Sequence, residues 1–151
     1  MPVSRTRRRP AARQPRLRTP KVDPVLLRRL ARFRYALRRF LRFSEQAARA
    51  AGVTPQQHQL LLGVAGYTGR GWATVGEIAE FLQERHNAVV GLVERAARSG
   101  LVRKSPGESD RRVVRVQLTP RGEALLGRLS AAHRQEAARL RTRWLRIEGE
   151  K

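Results

Sequence analysis

The sequence contains no cysteine among its 151 residues, and aromatic side chains make up only 5% of it. Without thiols the chain has no disulfide, thiolate metal site or cysteine redox centre. Few aromatics mean that the predicted core is mainly aliphatic. No apolar run approaches the roughly 20 residues that a membrane span requires, and the basic N-terminus lacks the apolar stretch of a secretory signal. We therefore expect a cytoplasmic protein with no membrane partner.

Acidic residues are also scarce: 12 Asp and Glu stand against 33 Lys and Arg, a formal net charge of +21. Such an excess favours a polyanionic partner. Residues 1–21 hold eight basic residues, no acid and four prolines. Because such a segment buries almost nothing, residues 1–22 are predicted to be a disordered basic arm. The arm serves either as a solubilising tail or as a contact to DNA phosphates.

Two long helices are predicted at the ends of the remaining segment, 23–151. Asp23-Pro24 is a helix start, and one face of a helix over about 24–51 is apolar, whereas the opposite face is rich in arginine. A second helix is predicted over about 120–147 after Thr119-Pro120. Their length indicates a partner chain. The predicted apolar positions are Leu26, Leu30, Phe33, Leu37 and Leu41, then Leu125, Leu126, Leu129, Leu140 and Trp144.

The segment between them, about 54–118, alternates helix and strand signals. Thr54 to Gln57 and Thr74 to Glu77 are two capping boxes, each followed by an apolar helix. Trp72 to Thr74 fits a short strand that pairs with a later hairpin. A helix over about Arg85–Ser99 has a buried side and ends at Gly100, which suits a left-handed C-cap. Val114, Val116 and Leu118 alternate with Arg115 and Gln117, which predicts a hairpin strand with one buried and one basic face.

This order predicts a mainly α fold with a small β-hairpin wing, a winged helix–turn–helix. A helix N-terminus in the major groove faces base edges, where Arg can bind guanine and Asn can bind adenine. Arg85, His86 and Asn87 occupy that end, although His86 or Asn87 also suits a helix cap. Of Arg111 and Arg112 in the wing, one is expected to pair with Asp110 and the other to enter a minor groove. The predicted DNA-binding residues are Arg85, His86, Asn87, Arg95, Arg98, Arg103, Lys104, Arg111, Arg112 and Arg115.

The sequence shows no catalytic or metal-binding arrangement. His58, His86 and His133 fall on three predicted elements without ligand spacing. No Ser-His-Asp set, phosphate-binding glycine loop or carboxylate pair stands out. We therefore expect neither an enzyme nor a cofactor. A sequence-tolerant architectural DNA-binding protein held by charge remains the alternative to a sequence-specific regulator.

Several short motifs resemble the MarR family of bacterial transcription factors. They are Thr54 to His58, Glu77-Ile78-Ala79, Val89 to Arg95, Gly100-Leu101-Val102, Asp110-Arg111-Arg112 and Leu118 to Gly122. The resemblance implies a homodimer joined through the terminal helices, with Leu26, Leu30, Phe33, Leu37, Leu125, Leu129, Leu140 and Trp144 in the dimer core. It also implies a repressor on the bacterial nucleoid that binds a pseudo-palindromic operator in double-stranded DNA.

The resemblance further implies release from the operator by a small ligand. A small aromatic effector is expected in a pocket near Phe43, His58, Tyr67 and Trp72. The same four residues also suit ordinary core packing, which the sequence favours.

Overall fold

The computed structural model describes residues 22–107 and 113–149. In chain order the elements are α1 (Pro24–Ala50), α2 (Pro55–Leu62), a π-helical turn (Gly63–Tyr67), β1 (Trp72–Thr74), α3 (Val75–Leu82), α4 (His86–Arg98), β2 (Val102–Pro106), β3 (Val114–Leu118) and α5 (Pro120–Gly149). The expectation of a mainly helical winged helix–turn–helix fold with long terminal helices is confirmed.

Side-chain caps fix where the first three helices begin. The Asp23 carboxylate accepts a hydrogen bond from the Val25 amide at 2.9 Å. Thr54 and Gln57 form a reciprocal capping box at the start of α2. Thr74 and Glu77 do the same for α3. Each cap satisfies amides that a helix N-terminus leaves without intrahelical partners, so these local signals were readable from the sequence.

The segment that follows α2 stays helical but changes its hydrogen-bonding pattern. The chain continues through Gly63–Tyr67 as a π-helical turn. Gly63 and Val64 are buried there, and a Cβ on Gly63 would lie 2.7 Å from Phe81 Cδ1. Because α3 packs directly on this turn, its backbone needs internal hydrogen bonds and therefore stays helical.

The three strands form an antiparallel sheet in the order β1-β3-β2. Trp72 is opposite Gln117, and Arg103 is opposite Gln117 on the other side of β3. Since alternate residues of a strand share a face, Trp72, Arg103 and Arg115 lie on the outer face of the sheet. Val102, Lys104 and Val116 lie on the inner face, towards the helices.

One apolar core joins the helices of the winged-helix lobe to the sheet. α4 contributes the four residues expected to be buried, Val89, Leu92, Val93 and Ala96. Val116 and Ile78 are fully buried, as are Leu60 and Leu61 of α2. Val114 was expected on the buried face but is 39% exposed. It is opposite Pro106 at the far end of the hairpin, beyond the helices that cover Val116.

A single hydroxyl connects α4 to α5. Gly100 takes the left-handed conformation at φ +68° after α4. The Thr119 hydroxyl donates to the Gly100 carbonyl oxygen at 2.6 Å and accepts from the Gly122 amide at 3.1 Å. The Thr119 amide also donates to the Leu101 carbonyl oxygen at 3.1 Å. The end of α4 and the start of α5 are therefore held on one residue.

α1 and α5 pack along each other outside the lobe. The rings of Phe33 and Trp144 meet edge to face, with centroids 4.6 Å apart. Leu26 and Leu30 are about half exposed, whereas Leu125 and Leu129 are buried among the core residues of their own chain. Of the predicted dimer residues, Leu125 and Leu129 therefore already have neighbours within one chain. Leu26 and Leu30 offer an uncovered apolar surface.

Candidate nucleic-acid interface

The exposed start of α4 brings together the three residues expected to face base edges. Arg85 is the N-cap, with extended backbone, and α4 begins at His86. The side chains of Arg85, His86 and Asn87 are all exposed. Within the described ranges, no side chain caps this helix. Its first amides and its positive dipole end therefore point outward, which favours an anion such as phosphate.

The exposed face of α4 lies opposite the face that is buried in the core. Opposite Val89 and its buried partners lie Asn87, Gly91, Glu94 and Arg98, at spacings of four, three and four residues. Such spacing places them on one face. Val90, 40% exposed, borders this line. Val90, Gly91 and Glu94 were not among the predicted DNA-binding residues, although their spacing from Asn87 can be read from the sequence.

Arg95 extends along this line towards the start of α4. It is exposed, and a Cβ built on Gly91 would lie 3.3 Å from Arg95 Nη1. The guanidinium therefore occupies the space that a side chain at residue 91 would need. Arg98 is exposed in the last turn of α4, where a cation also complements the helix dipole.

The hairpin cations divide between the two faces of the sheet. Lys104 lies on the inner face, and its ammonium pairs with the Glu94 carboxylate of α4. This pair joins the hairpin to the outward face of α4 and neutralises an acid there. Arg103 and Arg115 lie on the outer face of the sheet, which is the opposite face from that of Lys104.

Trp72 holds Arg115 in place together with Arg70. The Arg70 and Arg115 guanidinium carbons lie 4.0 and 4.2 Å from the Trp72 ring centroid. Such stacking is a cation–π interaction. Arg70 also donates to the Glu77 carboxylate at 2.6 Å. The Thr74 amide, followed by Arg70, holds the pKa of Glu77 below its ordinary value. These contacts connect the outer sheet face to the start of α3.

A shallow groove of about 410 Å³ separates α4 from the hairpin. Val90, Val113 and Val114 line it with exposed methyl groups, beside His86 and Lys104. Asp110, Arg111 and Arg112 of the wing tip lie outside the described residues, as does the predicted basic arm up to residue 21.

The structure separates the four residues expected to line an effector pocket. Phe43 and His58 both contact the His133 ring, at centroid distances of 5.3 and 4.8 Å. Tyr67 packs instead on Phe81 at 5.3 Å, and Trp72 lies against the two arginines. Their contacts are therefore those of ordinary packing, which was the alternative to a shared effector pocket. A separate cleft of about 670 Å³ lies between α1, α2 and α4, lined by Ser44, Gln56, Gln59, Asn87 and Arg95 among others.

His58 and His133 meet across α2 and α5, which their separation in sequence did not predict. His58 is buried. Burial, followed by the neighbouring His133, lowers the pKa of His58 below its ordinary value. His133 Nδ1 lies 2.7 Å from the Leu129 carbonyl oxygen. Across the described segments, no three His, Asp or Glu side chains cluster as metal ligands would. None of the helices in these segments is long and apolar enough to cross a membrane.

Helix–turn–helix α3–α4 followed by the β2–β3 hairpin defines the class of protein as a winged helix–turn–helix. Residues 51–113 match the model of the MarR family. AbsC, a MarR family transcriptional regulator from Streptomyces coelicolor, has a similar structure with a TM-score of 0.68 at 18% identity, covering 81% of this chain and 82% of AbsC. The chain is thus similar to the MarR family over residues 51–113, and its whole fold is similar to that of MarR family transcriptional regulators.

Two further solved structures show the same fold. A mutant MarR from E. coli complexed with operator DNA gives a TM-score of 0.61 at 21% identity, covering 76% of this chain and 79% of MarR. BpsR from Bordetella bronchiseptica, whose DNA binding is regulated by 6-hydroxynicotinic acid, gives 0.57 at 24% identity, covering 80% of this chain and 79% of BpsR. A search of curated proteins finds no significant sequence match.

Proposed function

We propose that the chain is a sequence-specific regulator of transcription that inserts α4 into the major groove of duplex DNA. The observation that carries the proposal is the exposed, uncapped start of α4 with Arg85, His86 and Asn87, on a helix anchored by four buried residues. An anchored helix with a free polar end is the geometry of a DNA-recognition helix. The fold shared with a MarR–operator complex supports it.

Within this proposal the basic residues have different tasks. Asn87 and Arg85 contact base edges, where a good bidentate pair discriminates by about 1–3 kcal/mol. Arg95 and Arg98 contact phosphates, which fixes the position of the protein without reading sequence. Lys104 orders the hairpin through Glu94, and Arg103 and Arg115 meet flanking phosphates from the outer sheet face. Arg111 and Arg112 of the wing reach the minor groove.

We infer that two copies act together as a homodimer on a pseudo-palindromic operator. Leu26 and Leu30 are apolar, about half exposed and adjacent on α1, which supports a partner chain there. A symmetric dimer binds two half-sites in opposite orientation, and their spacing follows from the dimer geometry. Such a regulator acts in the cytoplasm on the nucleoid, where it represses a nearby operon.

Selection of bound sequences from a random duplex pool at physiological salt tests this proposal. We expect an inverted repeat, bound at least about a thousandfold more tightly than random DNA. Asn87→Ala should relax the preference at one position per half-site. Arg112→Ala should weaken binding to the selected and random duplexes alike. Equal losses of affinity on every sequence for both variants would refute this division of tasks.

A sequence-tolerant architectural protein is the second candidate. It is favoured by the charge distribution, because only part of the +21 lies in the winged-helix lobe. Binding by charge alone is salt-sensitive but gives no sequence motif. A pool that returns no motif, together with full binding to random duplexes, would decide for this function.

The cleft beside α4 supports regulation by a small aromatic acid. Because Asn87 and Arg95 line it, a molecule bound there would compete with their DNA contacts. A ligand shifts an equilibrium only by its different affinity for the two states. A thermal-shift screen should yield acids that also release the operator. Gln59→Trp, which fills the cleft, should abolish the response, whereas Gln46→Trp on exposed α1 surface should not. Hits that stabilise both variants equally would exclude this cleft.

A further inference from the structure

Three exposed valines meet in the groove between α4 and the hairpin. Val90 of α4 is 40% exposed, and Val113 and Val114 at the start of β3 are 37% and 39% exposed. All three line the depression of about 410 Å³, together with buried Val93, and we call it the valine groove. Single exposed apolar side chains are common on protein surfaces, but three around one depression form a shared apolar patch. The polar DNA contacts of α4 leave this patch unexplained.

The polar side chains of the valine groove are mostly engaged with each other. The Lys104 ammonium pairs with the Glu94 carboxylate, and the Thr74 hydroxyl lies 3.1 Å from the Glu77 carboxylate. Among the described residues that line the groove, His86 is the remaining polar side chain. A molecule that enters the groove therefore meets mainly methyl groups, so an apolar group makes the favourable contact there.

Val90 lies within one helical turn of the residues that we propose to face base edges. It follows His86 by four residues and Asn87 by three, and both spacings place side chains next to each other on a helix surface. At 1.5 Å per residue, Val90 is about 4.5 Å further along the helix than Asn87, whereas base pairs are stacked about 3.4 Å apart. A duplex that contacts Asn87 therefore covers Val90 as well.

The group of duplex DNA that matches an exposed valine is the C5-methyl group of thymine. The base edges in the major groove present hydrogen-bond donors and acceptors, and this methyl group is the apolar feature among them. A phosphate against Val90 would lose water without gaining a hydrogen bond. A second protein in the valine groove would displace the duplex from α4, so DNA is the occupant that this position favours.

We propose that Val90 reads thymine through contact between its own methyl groups and the C5-methyl group of the base. Val113 and Val114 line the opposite side of the groove, where they exclude water from this contact. The thymine lies one or two base pairs from the base that Asn87 contacts. This inference rests on the proposed function and deepens it, because it adds an apolar contact to the hydrogen bonds of Arg85 and Asn87.

Parallel selections from two duplex pools test the proposal. One random pool is made with thymine and the other with uracil, which lacks only the C5-methyl group. The full chain should return the same inverted repeat from both pools, except at one position per half-site where thymine is enriched and uracil is not. Identical preferences in both pools would overturn the proposal and leave sequence-specific regulation intact. If neither pool returned a motif, the proposed function would fall, and this inference with it.

Titrations with defined duplexes measure the methyl contact directly. Replacing that thymine by uracil in one half-site should weaken binding of the wild-type chain about fourfold, the loss expected when one methyl group leaves an apolar contact. Val90→Ala should bind the two duplexes equally. Val25→Ala, which shortens a valine of α1 that is 38% exposed, is the matched control and should keep the wild-type difference. Alanine favours an exposed helix position, and thermal melts check that both variants fold.

A methylated cytosine provides the converse measurement. The thymine–adenine pair is changed to cytosine–guanine, and the cytosine is then methylated at C5, which returns a methyl group to the same place in the major groove. Methylation should raise the affinity of the wild-type chain about fourfold and leave that of Val90→Ala unchanged. Equal weakening of every duplex by Val90→Ala would overturn the proposal. So would a changed mass of this variant in light scattering, which would assign the valine groove to contacts between copies.

Discussion

At the scale of single residues, Gly91 is costly to its own helix. It lies within α4, where glycine destabilises by about 1 kcal/mol relative to alanine. Its missing side chain leaves room for the Arg95 guanidinium. In the proposed complex with DNA it would also let the helix backbone approach a duplex closely, and this contact would account for a residue that weakens the helix.

Gly91→Ala should therefore have opposite effects on folding and on binding. We expect a gain of up to about 1 kcal/mol in the free energy of unfolding, because exposed Arg95 can move aside at little cost. DNA affinity should fall about tenfold. Thermal melts and titrations of the selected duplex measure the two effects. Unchanged affinity in the stabilised variant would show that α4 needs no clearance at this position.

Buried His58 gives the fold a pH dependence of defined sign. Its pKa is lowered in the folded chain by burial, followed by His133, so the ring is neutral there, whereas the unfolded chain titrates near 6.5. The unfolded state then binds more protons below that pH. The contribution of neutral His58 to the free energy of unfolding is therefore present above pH 6.5 and is lost as the pH falls below that value.

We expect the melting temperature to fall between pH 7 and pH 5, and to fall less in His58→Gln. His58 packs on His133, whose ring also contacts Phe40 and Phe43 of α1, so no carboxylate among these ring contacts offsets the added charge. His86→Gln, which changes an exposed histidine, serves as the control. If the melting temperature of His58→Gln fell with pH as steeply as that of the wild-type chain, His58 would not be the source of this pH dependence.

At the scale of elements, the start of α5 tolerates no side chain at residue 122. A Cβ on Gly122 would lie 2.1 Å from the Leu101 carbonyl oxygen, whereas nothing lies within 4 Å of one on Gly127 in the same helix. Backbone cannot move aside as a flexible side chain does, so the helix or the strand must shift.

Gly122→Ala should destabilise the protein by about 3 kcal/mol or more, in the range of severe overpacking. Gly127→Ala should stabilise it by up to about 1 kcal/mol, because only helix propensity changes. Urea unfolding of the two variants measures the difference. If both substitutions changed the free energy of unfolding equally, the backbone of α5 at residue 122 would not be in close contact with the Leu101 carbonyl oxygen.

Elements with local causes were predictable from the sequence. Asp23, Thr54 and Thr74 cap the helices they were expected to cap, and the buried face of α4 followed from its periodicity. Tertiary contacts were not predictable in this way. Burial against Phe81 keeps the turn after α2 helical. The alternation of β3 predicted the face on which Arg115 lies, but not the stacking of its guanidinium on Trp72. Both depend on neighbours distant in the chain.

At the scale of the whole molecule, the uncovered apolar surface of α1 should make stability depend on concentration. Binding of a second copy stabilises only the folded state, so the melting temperature of a dimer rises with protein concentration. Leu30 is 48% exposed on this surface.

Leu30→Glu should yield a monomer, because a buried unpaired charge costs several kcal/mol. A cost of about 3 kcal/mol corresponds to a hundredfold weaker dimer. Light scattering over a dilution series gives the mass. Gln46→Glu adds the same charge on the arginine-rich side of α1 and should remain a dimer. A monomeric wild-type chain would remove the basis for an inverted-repeat operator.

Thr119 has a mechanical consequence at this largest scale. Its hydroxyl holds the last carbonyls after α4, and its position begins α5, so neither helix can tilt without pulling on the other. In the proposed homodimer, a change in the angle at which the two copies cross would therefore reach α4 through Thr119. The distance between the two copies of α4 would then depend on how the long helices cross.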